Sequence, residues 1–390
     1  MLINGKRALA YIVTIDSITP IEGADNIELA HIGGWSVIVK KNEFKEKDLG
    51  VFFEIDSKLP ETEWSEFLRS KHFKIKTMKL GKFSVISQGL VLPMSILPSD
   101  SNCKLNDDVT ELLGVTYSVE EDNKRKAKSN PDEKYNRMER RHPKLAKKKW
   151  FRWFMKRDFG KRLLFIFLGK SNDKPKNFPD WIKKTDEERV ENMKWILKNK
   201  EPFVKTEKID GTSTTVFLDL THKKPDFGVC SRNVRQIDVD QKNYHSQDID
   251  GNVYWEMVIK YNMQLALESI AKEHDVKRLV LQGETYGANL QCNPYKLNER
   301  RFAAFNLIFD GVRLGSVEAK EILAKYDIPF VPIIDENYIL PDDFEEFKFT
   351  ADGMSTVNDK CRREGFVYRS VDGQNSFKNV SREFLLRKKE

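Results

Sequence analysis

The stretch "KTEKIDGTSTTVF", residues 205–217, places a lysine two residues ahead of an Asp-Gly pair. Two readings of Lys208 are open. Asp-Gly between alternating Thr, Val and Phe is a strong short-range hairpin signal, which would leave Lys208 on a surface turn. As a nucleophile on phosphorus, Lys208 would need companions, because a free lysine with a pKa near ~10.4 is almost wholly protonated at neutral pH. Nearby cationic charge, a bound divalent ion or desolvation must release the amine. An attacked triphosphate also demands Lys or Arg on its oxygens, carboxylates for the metal, an aromatic face for the base and a carboxylate for the ribose.

Each of these residue types follows in order. "CSRNVR" supplies Arg232, "LQGETYG" Glu284, "FAAFNLIFDG" Phe305, "REGFVYR" Glu364 and "SFKNV" Lys378. Singly, most have bland readings. Arg232 could be a surface arginine, Phe305 a core residue with Phe302 as a rival for stacking, and Glu364 a partner of Arg362 or Arg363. Lys378 could be a snorkelling edge residue. Glu284 is less ambiguous, since a carboxylate in the otherwise apolar "RLVLQGETYG" must enter a polar site or be solvated on an outer face.

Those residues lie in a segment, 178–390, that mixes strand-like stretches such as "FVKTEKI", "STTVFLDL" and "EGFVYRS" with helical ones around "YWEMVIKYNMQLALESIAKEH" and "SVEAKEILAKY". The fold class expected is α+β, built on antiparallel sheets. Its first element, "KKTDEERVENMKWILKNK", has the marks of a helix, with Thr185 as N-cap and Glu188 completing a capping box. Residues 1–115 read instead as short strands broken by turns at Gly33-Gly34 and Asp48-x-Gly50, which suits a small barrel. There Trp35, Phe52, Phe53 and Phe83 are expected in the core, with Lys40, Lys41, Lys74, Lys76 and Lys79 available to phosphates.

Between them, 116–177 opens as a solvated linker and continues into a basic, aromatic stretch, Trp150 to Phe167, that could be a short amphipathic helix. Its cations Lys147, Lys148, Lys149, Arg152, Lys156 and Arg157 would face nucleic acid, or its aromatics would pack on the neighbouring domain. The whole chain has 390 residues, 39% of them hydrophobic, and a net charge of +7, enough for two or three cores and a polyanionic partner. Its cysteines, Cys103, Cys230, Cys292 and Cys361, lack Cys-x-x-Cys spacing, which argues against a zinc site or a disulfide framework. No apolar run approaches bilayer-spanning length and the start lacks signal-peptide order, so a cytoplasmic protein without a membrane partner is expected.

In combination the motifs resemble the covalent nucleotidyltransferases, and within them the ATP-dependent RNA ligases. Thr206-Glu207 precedes the lysine as in RNA ligases, and Ser213 stands where DNA ligases carry arginine. Only 12 residues follow Lys378, leaving no room for the C-terminal OB domain of DNA ligases and capping enzymes. The N-terminal "IEGADNIELAHIGGWSVIVKKNEFKEKDLGVFFEIDSKLP" resembles the OB-like module of the Deinococcus-type branch. The resemblance covers about 1–115 and 178–390 and leaves the basic insert unexplained.

It implies ATP and Mg²⁺ or Mn²⁺ as cofactors, and an RNA partner with 5′-phosphate and 3′-hydroxyl ends, for a protein expected to be monomeric. By motif, Lys208 would form lysyl-AMP, Glu207 would lie at the adenine edge, and Arg232 would contact AMP and the RNA 5′-phosphate. Glu284 would hold the ribose, Phe305 would stack on adenine, Asp210 and Glu364 would organise the metal, and Lys378 would engage the α-phosphate. Two positions depart from the family pattern: Ser376 where a second lysine is common, and Asn306 where Asp often follows the stacking Phe. A DNA ligase, a GTP-using capping-type enzyme and a catalytically decayed RNA-binding protein are the alternatives.

Overall fold

Period-two alternation in "WSVIVK" buries Trp35, Val37 and Val39 on one side of a strand, and the same pattern recurs through the first ninety or so residues. The result, in this computed structural model, is a barrel-like domain of two three-stranded antiparallel sheets. The structure describes residues 1–3, 6–81, 83, 85–118, 143–168, 177–236, 252–371 and 375–386. One sheet joins β1 (Ala10–Thr14), β5 (Leu49–Phe53) and β6 (Leu90–Pro93), with β5 central. The other is β2 (Ser17–Pro20), β3 (Ile27–Ile32) and β4 (Trp35–Lys40) in order. Gly33 and Gly34 close the β3–β4 hairpin, with Ile32 opposite Trp35. Trp35, Phe52 and Phe53 are buried, and the Trp35 and Phe52 rings lie 5.4 Å apart. They form core as expected, while Phe83 is only half-buried.

The basic insert contains three short helices, α1 (Pro143–Ala146), α2 (Lys149–Met155) and α3 (Asp158–Leu168), rather than one. Lys156 and Arg157 break the run between α2 and α3. The hairpin has its own small core of Phe151, Met155 and Leu164, packed by Leu145, Ala146 and Phe154.

The helix expected at Thr185 does not form there. Glu188–Arg189 is instead a two-residue strand, β7, and a kinked 3-10 segment covers Val190–Lys198. Tertiary pairing overrides the local capping signal. β7 runs parallel to β16 (Ser376–Val380), and Glu188 is engaged by the Leu2 amide and by Asn192 Nδ2, the latter at 2.9 Å. Thr185 turns its hydroxyl to Ser213 Oγ, 3.1 Å away.

Two five-stranded sheets make up the rest. The first has the order β7, β16, β15 (Gly365–Ser370), β8 (Phe203–Glu207), β14 (Ile333–Tyr338). The second has the order β10 (Asp226–Cys230), β9 (Thr212–Asp219), β11 (Arg278–Gly287), β12 (Arg300–Phe309), β13 (Val312–Arg313). Every pair except β7–β16 is antiparallel. Helices α4 (Val253–Lys260), α5 (Met263–Glu273) and α6 (Ser316–Ala324) cover one face of the second sheet with Val258, Leu267, Ile270 and Leu323. The architecture is α+β, with an OB-fold domain ahead of the paired sheets.

The barrel meets this domain along the 3-10 segment. Gly34 N donates to the Glu191 carbonyl at 2.8 Å, and Trp35 Nε1 donates to Asn192 Oδ1 at 2.7 Å. Asn192 Nδ2 in turn reaches Glu54 at 2.8 Å, a buried barrel carboxylate that also accepts from Arg7 at 3.0 Å. A Cβ on Gly34 would lie 2.4 Å from the Phe344 ring and 2.7 Å from Glu191 Cα, so only glycine allows this approach.

Candidate functional site

The Lys208 segment is not a hairpin. β8, before it, pairs with β14 and β15, whereas β9, after it, pairs with β10 and β11 in the other sheet. Lys208-Ile209-Asp210-Gly211 thus carries the chain from one sheet to the next, with the lysine in the cleft between them. Gly211 is needed here for proximity, since a Cβ would sit 2.3 Å from the Thr285 carbonyl oxygen. Asp210 N is held by the Tyr295 hydroxyl at 2.8 Å and Lys208 N by the Gly365 carbonyl at 3.0 Å, which fixes the backbone on both sides of Ile209.

A cavity of about 570 Å³ opens over this segment, and every sequence-selected residue lines it: Glu207, Lys208, Asp210, Arg232, Glu284, Phe305, Glu364 and Lys378. Lys208 Nζ lies 2.8 Å from Glu364 Oε1, in preference to either neighbouring arginine taking that carboxylate. Glu284 reaches the cavity because the β9–β11 register sets it opposite Ser213. A larger cavity of about 930 Å³ lies elsewhere, at the seam of barrel and sheets, and holds none of these residues.

Phe305 enters by a bulge. Across β11 and β12, Gln282 pairs with Asn306 but Gly283 pairs with Ala304, so Phe305 is the extra residue. Ala304 and Leu307 both remain in the helix-packed core, and Phe305 points away from it into the cavity. Its rival Phe302 is fully buried in that core. Asn306 is occupied by Gln282, donating to its Oε1 at 2.9 Å.

Electrostatics tie the cavity together. Burial alone would lower the pKa of Lys208, yet Glu364, with Glu284 and Asp210, more than offsets it, so the amine is held above the ordinary lysine value. Burial pushes Glu284 up to about 8, helped by Glu364 and Asp210 and opposed by Lys208. Burial likewise pulls Lys378 down to about 8, with Arg7 adding to the effect and Asp186 resisting it. Glu364 and Asp210 beside the lysine attract a cation, and Glu364 Oε2 is buried without a hydrogen-bond partner. Among the described residues no three His, Cys, Asp or Glu side chains converge as a direct ligand set. The unpartnered Glu364 Oε2, with Asp210 lining the same cavity, fits a divalent ion.

Several participants carried no sequence signal. Asp186 accepts from Lys378 at 3.3 Å and from Arg232 at 3.3 Å, with Arg7 of the barrel 4.0 Å away. Next to it, Glu187 accepts from Arg369 at 2.8 Å and from Ser376 at 2.5 Å. Arg369 also lies 5.9 Å from the Phe305 ring, and Tyr117 of the barrel places its ring 5.7 Å from Arg232. Glu207 differs from expectation in one respect: its carboxylate is consumed by the Ser355 and Thr356 hydroxyls and the Thr356 amide, the last at 2.8 Å.

Comparison with known proteins places this arrangement. A mutant Naegleria gruberi RNA ligase with ATP and Mn is 30% identical, with 98% of this chain and 100% of that chain covered and a TM-score of 0.74. The chain belongs to the RNA ligase family. The same Naegleria ligase with pyrophosphate aligns over 97% of this chain and 98% of that one, at 30% identity and a TM-score of 0.73. An RNA ligase family model matches residues 201–381 and an OB-fold domain model residues 9–94. Among curated protein sequences none matches this RNA ligase.

Proposed function

We propose that this RNA ligase uses ATP and a divalent metal ion to seal nicks between RNA 3′-hydroxyl and 5′-phosphate ends, with Lys208 carrying AMP between the first two steps. The observation that carries the reading is the Lys208–Glu364 pair, 2.8 Å apart, at the floor of a cavity that also gathers Glu284, Phe305, Arg232 and Lys378. The relatives with ATP and Mn, and with pyrophosphate, support the choice of nucleotide and metal.

The roles follow from placement. Phe305 offers its face to adenine, and Glu284 faces the ribose hydroxyls from the opposite strand. Lys378 sits where an α-phosphate oxygen can replace Asp186, and Arg232, half exposed at the rim, is free to turn from AMP to the RNA 5′-phosphate. Asp210 and Glu364 would hold a Mg²⁺ or Mn²⁺ ion, which would offset phosphate charge and weaken the hold of these carboxylates on the lysine proton.

Its carboxylate neighbours hold Lys208 protonated, so adenylylation requires Nζ to give up a proton to water as Glu364 loosens from it, after which the amine attacks the α-phosphorus and pyrophosphate departs. AMP then passes to the RNA 5′-phosphate, and a 3′-hydroxyl displaces it. Incubation with α-labelled ATP or GTP followed by denaturing electrophoresis tests the first step. Label from ATP alone is expected. Label from GTP, or from neither, would overturn the reading. Nicked duplexes carrying ribose or deoxyribose at the 3′-hydroxyl side then separate RNA from DNA sealing.

A further inference from the structure

The helical hairpin 143–168 is not explained by catalysis. Within it, nine Lys and Arg stand against one Asp, while the whole chain carries a net charge of +7, so the remainder is close to neutral. The positive charge of the protein is concentrated in 26 consecutive residues. Among the described residues, its buried aromatic and aliphatic side chains pack on one another, in a core drawn entirely from the hairpin.

Its outer side is the unusual part. On α3, Phe159, Leu163, Ile166 and Phe167 recur at i, i+4, i+7 and i+8, which is one face of a helix, and all four are exposed, the two Phe to 75%. Trp150 and Trp153 on α2 add two half-exposed indoles. Exposed Lys147, Lys148, Lys149, Arg152, Lys156 and Arg157 flank them, and Arg157 lies 3.9 Å over the Trp153 ring.

We propose that this hairpin is an in-plane anchor for an anionic phospholipid surface, with the Phe159–Leu163–Ile166–Phe167 stripe entering the acyl boundary and the surrounding cations on the headgroups. An apolar helix face bordered by Lys and Arg, with Trp at the margin, is the composition that binds the bilayer interface. α3 has 11 residues, about 16 Å of helix, against roughly 30 Å of hydrocarbon, so it lies in the surface and does not span it. No helix among the described residues is long and apolar enough to cross a membrane. Single-stranded RNA suits the cations and the indoles, but Leu163 and Ile166 have no π face for a base to stack on. A second copy of the hairpin would oppose like charge to like charge.

The test is flotation of the full chain with lipid vesicles, with ATP labelling measured in parallel on each protein. Binding is expected to vesicles holding about a third phosphatidylserine and not to pure phosphatidylcholine. The triple variant Phe159→Ser, Ile166→Ser, Phe167→Ser should lose at least about tenfold in vesicle affinity, because each removes buried apolar area, and keep its lysyl-AMP label. Because the label is read separately, failure of the anchor and failure of the ligase reading are distinguishable. Three results would overturn the proposal: no binding to anionic vesicles, full binding by the triple variant, or RNA binding that depends on the same three residues while vesicles are ignored.

Discussion

Two regions of this molecule are rich in cations and aromatic rings, and they use them in opposite ways. In the cavity, Lys208, Arg232, Lys378 and Arg369 each contact a carboxylate, and Phe305 is partly covered. On the hairpin, the cations and the rings Trp150, Trp153, Phe159 and Phe167 are exposed. Charge in a cavity is poised for a ligand that must displace a partner. Charge on a surface is available at once but screened by salt. The first arrangement can select a nucleotide and time a proton; the second can supply only attraction.

The sharpest way to break the comparison is to swap roles. Lys208→Ala should abolish covalent labelling by ATP, a drop of at least about a thousandfold, because the other cavity amine, Lys378, lies on β16 and is held by Asp186. Replacing Lys147, Lys148 and Lys149 together by Gln should leave labelling intact. Thermal melting that stays unchanged for Lys208→Ala would separate chemistry from folding, and labelled Lys208→Ala protein would end the nucleophile assignment.

The two phenylalanines divide stability from binding. Phe302→Ala should cost about 3–5 kcal/mol of folding free energy, measured by denaturant unfolding, since the ring is fully enclosed. Phe305→Ala should cost far less stability and raise the KM for ATP instead. The reverse pattern would remove Phe305 from the nucleotide site.

Smaller effects follow from the shifted titrations. Lys378, pushed down to about 8, is charged below that pH and neutral above it, so KM for ATP should climb as pH passes 8. Lys378→Arg, which stays charged, should flatten the rise. Glu284 is pushed up to about 8 in the fold against about 4.5 when unfolded, so the folded state holds the extra proton between those values. Stability in denaturant unfolding should therefore fall with rising pH across that window, and Glu284→Gln, which has no such proton to lose, should flatten the fall.

Much of the cavity lining was legible in the sequence because nucleotide chemistry demands particular residue types; Glu284 was marked out by its apolar strand, whereas Phe305 was preferred to Phe302 only through the family resemblance. Asp186, Glu187, Arg369 and Arg7 were not, since their contacts join residues up to about 190 positions apart and leave no spacing signal. The errors were local patterns overruled by tertiary pairing. "TDEE" looks like a capping box, but β16 offers Arg189 a ladder position opposite Lys378. "KIDG" looks like a hairpin, but its flanking strands find partners in different sheets.

The bulge at Phe305 turns the proposed adenine platform into a matter of counting rather than of residue type. β12 holds one residue more than its ladder with β11 requires, and that surplus is the aromatic ring in the cavity. Deleting it would restore regular alternation without moving Ala304 or Leu307 to the other face. A single-codon deletion could thus silence nucleotide recognition in an RNA ligase that still folds.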